Sequence, residues 1–200
     1  MNLYELAAAI LLLNEGPLSR VRFAKTIYFV HKELVKKGFM QPGDIAYVRM
    51  PLGPVPVGFM TLADEHPDIV VNKTPDTKLA YESEEYSLDG QPDIMIGGKD
   101  DILKIVQNAI NTLSARGTIE LIETSHQDPS WAKNNNGANF VISKDDLKNS
   151  ISKLNIKVFL KPKKKGNESD QIGAMQAALL QAMLSDIVKE STDLEHQSRR

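Results

Sequence analysis

Residues 19–38 read SRVRFAKTIYFVHKELVKKG, and the helical wheel they draw decides the fold. At about 100° per residue, Phe23, Ile27, Val30 and Leu34 share one row, and Val21, Ala24, Tyr28 and Val35 fill the adjoining sector. Half the cylinder is apolar, which places this helix at the centre of a core with other elements around it. Ser19 stands where an N-cap belongs, and Gly38 follows Lys36 and Lys37 at the negative end of the helix dipole. On the opposite side Phe29 sits in a ring of Arg22, Lys25, Lys32 and Lys36. An aromatic inside a basic ring is the composition of a protein-binding hot spot. The alternative is that the strands after residue 44 cover Phe29 and leave only the charges wet.

Working outward, residues 2–15 form a first helix that buries Leu3, Leu6, Ala7, Ile10 and Leu13 and stops at Gly16-Pro17. Downstream, Asp44 to Met50 alternates as a short strand. The run Pro51 to Gly58 has prolines at 51, 54 and 56, which fix φ and remove three backbone donors, so it reads as a rigid bend rather than a strand. Pro56 then opens a helix through about Glu65. Ile69–Val71 and Leu79–Leu88 read as strands within a region, residues 64–101, that holds 11 acidic and 3 basic side chains. From Asp100 the helical period returns with Ile102, Val106, Ala109 and Leu113, up to Gly117. Thr118 starts a short helix closed by Asp128-Pro-Ser-Trp131, and Ser143 with Asp146 imitates a capping box for a helix to about Leu154. Ile156–Leu160 is a candidate last strand.

The fold class expected is α+β and mainly helical: a compact helical domain with a small antiparallel sheet over residues 1–160. Residues 161–170 form a lysine-rich linker, 171–189 a C-terminal helix and 190–200 a flexible tail. In that helix Ile172, Met175, Leu179 and Met183 make one stripe that must pack on this chain, on a second copy or on a partner. A homo-oligomer is left open.

The chain has 200 residues and no cysteine, which excludes disulfides, thiolate nucleophiles and thiolate metal sites at once. A net charge of −2 excludes the whole-molecule field that drives nonspecific binding to nucleic acid or membrane. The longest apolar run, Leu6–Leu13, is too short for a membrane span and lacks the flanks of a signal peptide, so a cytoplasmic protein is expected.

The four histidines, at 31, 66, 126 and 196, have no metal-ligand spacing, and no phosphate-cradling glycine loop occurs. Ser125, His126 and Asp128 contain the letters of a hydrolase triad, but neighbouring helical positions point about 100° apart and cannot form a relay. His31 and His126 are expected in the core. No catalytic residue, metal or cofactor is expected, and the chain is read as not an enzyme. The rival reading from another class is a DNA-binding regulator that uses the basic second helix, although no tight helix-turn-helix connection or wing accompanies it.

Three separated blocks carry a resemblance. Ala24-Lys-Thr-Ile-Tyr-Phe-Val-His31, then Tyr47 leading into Leu52-Gly-Pro-Val-Pro-Val57, resembles the "K-L-x-Y-F-x-H/D … Y-G-P-V" core of the Panacea antitoxin domain, the SocA-like group. Gly117 to His126 with Pro129 and Trp131 is similar to that family's "G-x-x-x-x-L-x-x-x-S-H … P-W" ending. Leu52 stands where an aromatic is more usual. The resemblance, over roughly residues 3–155, implies a mainly helical domain that acts as the antitoxin of a bacterial or phage toxin–antitoxin pair, with a cognate protein toxin as partner. Tyr28, His31, His126 and Trp131 are then a structural motif. The expected partner contacts are Phe29 with Arg22, Lys25, Lys32 and Lys36, the bend at Gly53, Pro54 and Val55, and the tail stripe Met175, Leu179 and Met183.

Overall fold

A computed structural model describes residues 1–75, 82–90, 92 and 99–148. Its axle is α2 (Arg20–Lys36). Helices α1 (Leu3–Leu13) and α4 (Lys99–Ser114) pack on α2 and on each other, and α5 (Thr118–His126) packs on α2 as well. Two short helices, α3 (Leu62–Glu65) and α6 (Pro129–Lys133), complete the helical part. The mainly helical α+β class is as the periodicities imply, but the strands divide between two antiparallel sheets rather than one.

In the first sheet, β5 (Glu82–Leu88) lies between β1 (Leu18–Ser19) and β4 (Ile69–Pro75), with Leu18 opposite Tyr86 and Ile69 opposite Leu88. A triangle of rings fastens this sheet to the axle: Phe23, Phe59 and Tyr86 have centroids 5.3–5.6 Å apart. In the second sheet, β2 (Tyr47–Met50) lies between β3 (Gly53–Pro56) and β6 (Asn139–Phe140).

Strand β3 corrects the reading of Pro51–Gly58 as a bend. The register sets Val55 opposite Val48 and Pro54 opposite Arg49. The Val57 amide donates to the Ala46 carbonyl at 2.9 Å, so the odd-numbered residues turn their backbone groups toward β2. Both prolines then fall at even positions, where an edge strand needs no ladder donor. Two more local readings change. Asp128-Pro129 opens α6 instead of closing the helix before it, with Pro129 at its first turn. Ser19 does occupy the N-cap position, yet its hydroxyl is buried with no hydrogen-bond partner while its backbone pairs with Glu85. The first helix carries the fuller cap, a capping box of Asn2 and Glu5.

Ser143 and Asp146 do form the box their spacing suggests: the Ser143 amide and hydroxyl donate to Asp146 Oδ2 at 2.6 and 2.9 Å. The buried carboxylate also accepts from the Ser130 amide at 2.9 Å, fastening α6 to the chain beyond β6. A 3-10 turn, Asp146–Lys148, follows. The remainder of that expected helix, the strand Ile156–Leu160, the linker and the tail helix lie outside the described residues.

Candidate functional site

Lys25, Tyr28 and Lys32 recur at i, i+3 and i+7 and so share one face of α2, the face turned to β3 and α5. All three are buried, and each finds one matching group. Asp128, with no exposed surface, collects two of them: its Oδ2 accepts from the Tyr28 hydroxyl at 2.7 Å and from Lys32 Nζ at 2.5 Å. A buried ammonium is tolerable only beside such a carboxylate, and this one also lies 5.4 Å from the Tyr28 ring centre. Burial and the adjoining Asp128 carboxylate hold the Tyr28 hydroxyl far above its ordinary range.

One turn away, His31 lies fully buried between Tyr47 and Gln41. Its Nε2 is 3.1 Å from the Gln41 carbonyl, which can only accept, so Nε2 carries the proton. Nδ1 is then free to accept from the Tyr47 hydroxyl 2.8 Å away. Burial, opposed by the Gln41 carbonyl, lowers the His31 pKa to about 4 and keeps the ring neutral. Tyr47, also fully buried, has its hydroxyl pushed up by desolvation.

The other lysine, Lys25, anchors the hairpin. Lys25 Nζ donates to the Pro54 carbonyl at 2.8 Å, using the side of β3 that faces away from β2. Desolvation brings its pKa down to about 7. Gly53 makes this approach available: a Cβ there would overlap Ser125 Oγ and come within 2.9 Å of Lys25 Cε, and its φ of 98° already favours glycine. Ser125 donates its hydroxyl to the Ile122 carbonyl of its own helix at 2.7 Å.

A stack closes the edge of the cluster. The His126 and Trp131 rings lie 3.8 Å apart and nearly parallel, and the Arg49 guanidinium sits 4.1 Å from the centre of Trp131. The indole nitrogen donates to the Met50 carbonyl at 3.2 Å, and Arg49 Nε to the Trp131 carbonyl at 3.3 Å. Burial first, then Lys25 and Arg49, push the His126 pKa down to about 4. Its Nε2 is buried without a hydrogen-bond partner.

These positions revise the expected surface. Phe29 is 1% exposed, and Lys25 and Lys32 are buried with it, because α2 is enclosed on nearly all sides rather than on half its cylinder. Arg22 donates to the Leu113 and Arg116 carbonyls at 2.9 and 3.0 Å, satisfying the end of α4. Of the basic ring around Phe29, only Lys36 is exposed. Gly53 and Pro54 are buried too, whereas Val55 is half-buried. Tyr28 and His31 are buried and meet through Tyr47, whereas His126 and Trp131, both half-buried, stack on each other at the rim instead of in the core. Met175, Leu179 and Met183 lie outside the described residues.

Asp128, Tyr47, Gln41 and Ser125 are the members that residue patterns did not assign to the cluster. The signal for Asp128 was present: no carboxylate occurs between Ser19 and Lys32, so a lysine buried on that stretch of helix requires an acceptor from elsewhere. As a hydrolase relay the letters Ser125, His126 and Asp128 fail, since the hydroxyl bonds its own helix and Asp128 Oδ2 serves Tyr28 and Lys32. Among the described residues no group of three or more His, Asp or Glu side chains could hold a metal ion. No helix among them is long and apolar enough to cross a membrane.

A family model described as antitoxin SocA-like, Panacea domain, matches residues 23–132, the span from the start of the α2 cluster to Trp131 and its neighbour. Comparison with curated proteins and with solved structures gives no match.

Proposed function

The chain belongs to the SocA-like, Panacea-domain antitoxin family, and from that membership we propose that it binds and neutralises a cognate protein toxin without catalysis. The observation that carries the reading is the coincidence of the family span with a cluster whose polar groups, His126 Nε2 apart, are spent on one another. Lys32, Tyr28 and Asp128 share one carboxylate oxygen, and His31 bridges Tyr47 and Gln41. Groups so engaged hold a shape, and a shape is what a binding protein offers. Toxin contact then falls outside this cluster, on exposed Lys36 and on the stripe Met175, Leu179 and Met183 of the tail. A cytoplasmic site of action goes with a toxin made in the same cell. DNA binding through the second helix finds no support, because Lys25 and Lys32 are buried.

The test is coexpression with the product of the adjoining gene. Relief of growth arrest together with copurification of the two chains is the expected result. Relief without any complex, by a chain that lowers the toxin's transcript or modifies it covalently, overturns the reading.

A further inference from the structure

The outer face of the β3-β2-β6 sheet is apolar. Alternation along the strands sends Tyr47, Pro54, Pro56 and Phe140 inward, where they are buried. The other parity points out, and its members are Ala46, Val48, Met50, Val57 and Val141, with Asn139 as the single polar side chain, while Val55, of the same parity, packs in part against the core. Val57, Met50 and Val141 are 45%, 40% and 46% exposed. A half-solvated antiparallel sheet ordinarily turns polar residues to water, so a face like this one marks an interface.

We propose that residues 171–185 of this same chain cover that face, as a helix laid along the three strands in the free protein. Three observations single out this occupant. The segment, QIGAMQAALLQAMLS, has no charged residue among its 15, although Lys161–Asp170 before it and Asp186–Glu190 after it are rich in charge. An uncharged helix needs an uncharged bed, and the sheet face has no charge on it. The width agrees: three strands span about 10 Å between their outer axes, the diameter of a single helix, and 15 residues make a helix of about 22 Å, long enough to run the full length of the four-residue strands and beyond.

The third observation is connectivity. The described chain ends at Lys148, seven residues after Val141, and 22 residues, the lysine-rich stretch 161–170 among them, separate it from Gln171. The ten residues 161–170 alone can reach about 33 Å, about twice the radius of a domain this size. Tethering of this kind places the segment at an effective concentration of order millimolar. A second copy or a toxin, at micromolar concentration, competes poorly for the same bed. The inference concerns the free chain and does not depend on the toxin reading, although a toxin that takes the stripe Met175, Leu179 and Met183 must first lift it from the sheet.

The absence of cysteine makes the test clean. A single Val57→Cys reporter in the full chain is labelled with a maleimide under native conditions, beside a Met60→Cys reference whose position is 63% exposed and off the sheet. The expected result is labelling of Val57→Cys at least tenfold slower than the reference in a monomer, restored by Leu179→Asp with Met183→Asp. Equal rates for the two reporters in the full chain overturn the proposal, whatever the double variant does. So does protection that disappears on dilution, which assigns the face to a second copy, or protection that arises only when the toxin is added.

Discussion

The two faces of the β3-β2-β6 sheet reverse the ordinary distribution of polarity. The inner face meets Lys25, His31 and Ser125, all three buried and all three hydrogen-bonded. The outer face turns Val48, Met50, Val57 and Val141 away from that core. Buried polar groups are costly unless every partner is in place, so they admit one docking of hairpin on helix and penalise the alternatives. Apolar side chains carry no such directional demand and accept any surface of suitable shape. Specification of the fold therefore sits on the inner side of the sheet, and the capacity for association on the outer side.

The comparison breaks first at Asp128. Replacement by Ala leaves Lys32 as an uncompensated buried cation and deprives Tyr28 of its acceptor, so a loss of about 3–5 kcal/mol is expected, measurable by urea denaturation. Asp128→Asn keeps an acceptor and should lose less. A Lys32→Met, Asp128→Leu double variant should recover part of the loss, because no charge is left buried alone, although the Tyr28 hydroxyl still lacks its acceptor. Equal stability of Asp128→Ala and the parent would show that the inner face specifies nothing.

Next in size is a pH dependence. Folded Lys25 sheds its proton near pH 7, while the unfolded chain keeps it until about 10.5, so between these values the unfolded state binds the extra proton. Stability then rises with pH across this window at a limiting slope of about 1.4 kcal/mol per unit. It is lost again as the pH falls toward 7. Between pH 7 and about 9.5 the expected gain is ~3 kcal/mol, ending where Tyr28 and Tyr47 begin to act in the opposite sense. Lys25→Met should flatten this rise in denaturation curves recorded across the range.

The inner face was the harder one to read in the sequence, for a physical reason. Periodicity located the central helix nearly to its residues, because the pattern of apolar side chains records which face is buried. It could not record that the remaining face is buried as well. Lys25 and Lys32 look like solvated charges until a carbonyl from residue 54 and a carboxylate from residue 128 arrive, across 29 and 96 positions of chain. The hairpin failed for a similar reason. Prolines at 51, 54 and 56 forbid a central strand but not an edge strand, and the parity that spares the ladder appears only once the register is known. The motif positions Tyr28, His31, His126 and Trp131 came from family likeness, which carries long-range contacts that single-chain periodicity lacks.

A smaller effect is expected where the backbone admits the lysine. Gly53→Ala brings a Cβ onto Ser125 Oγ at a positive φ, for an expected loss of about 1–3 kcal/mol. Adding Ser125→Ala removes the overlapping oxygen and should return part of that loss, so the two substitutions should be non-additive by more than about 0.5 kcal/mol in a double-mutant cycle. Additive losses would mean that the backbone conformation alone requires glycine.

The smallest effect belongs to the outer face. Val141→Thr with Val57→Thr keeps the branched shape that suits a strand while making the surface polar, at positions that face away from the core. The core should feel this by less than about 0.5 kcal/mol in urea, an order of magnitude below Asp128→Ala. If the face nevertheless serves as a bed for residues 171–185, the same pair should weaken that contact, and protease cleavage after the lysines at 161–165 should quicken while the core transition stays in place. A large drop in core stability would instead place both valines inside the folding unit and remove the distinction between the two sides.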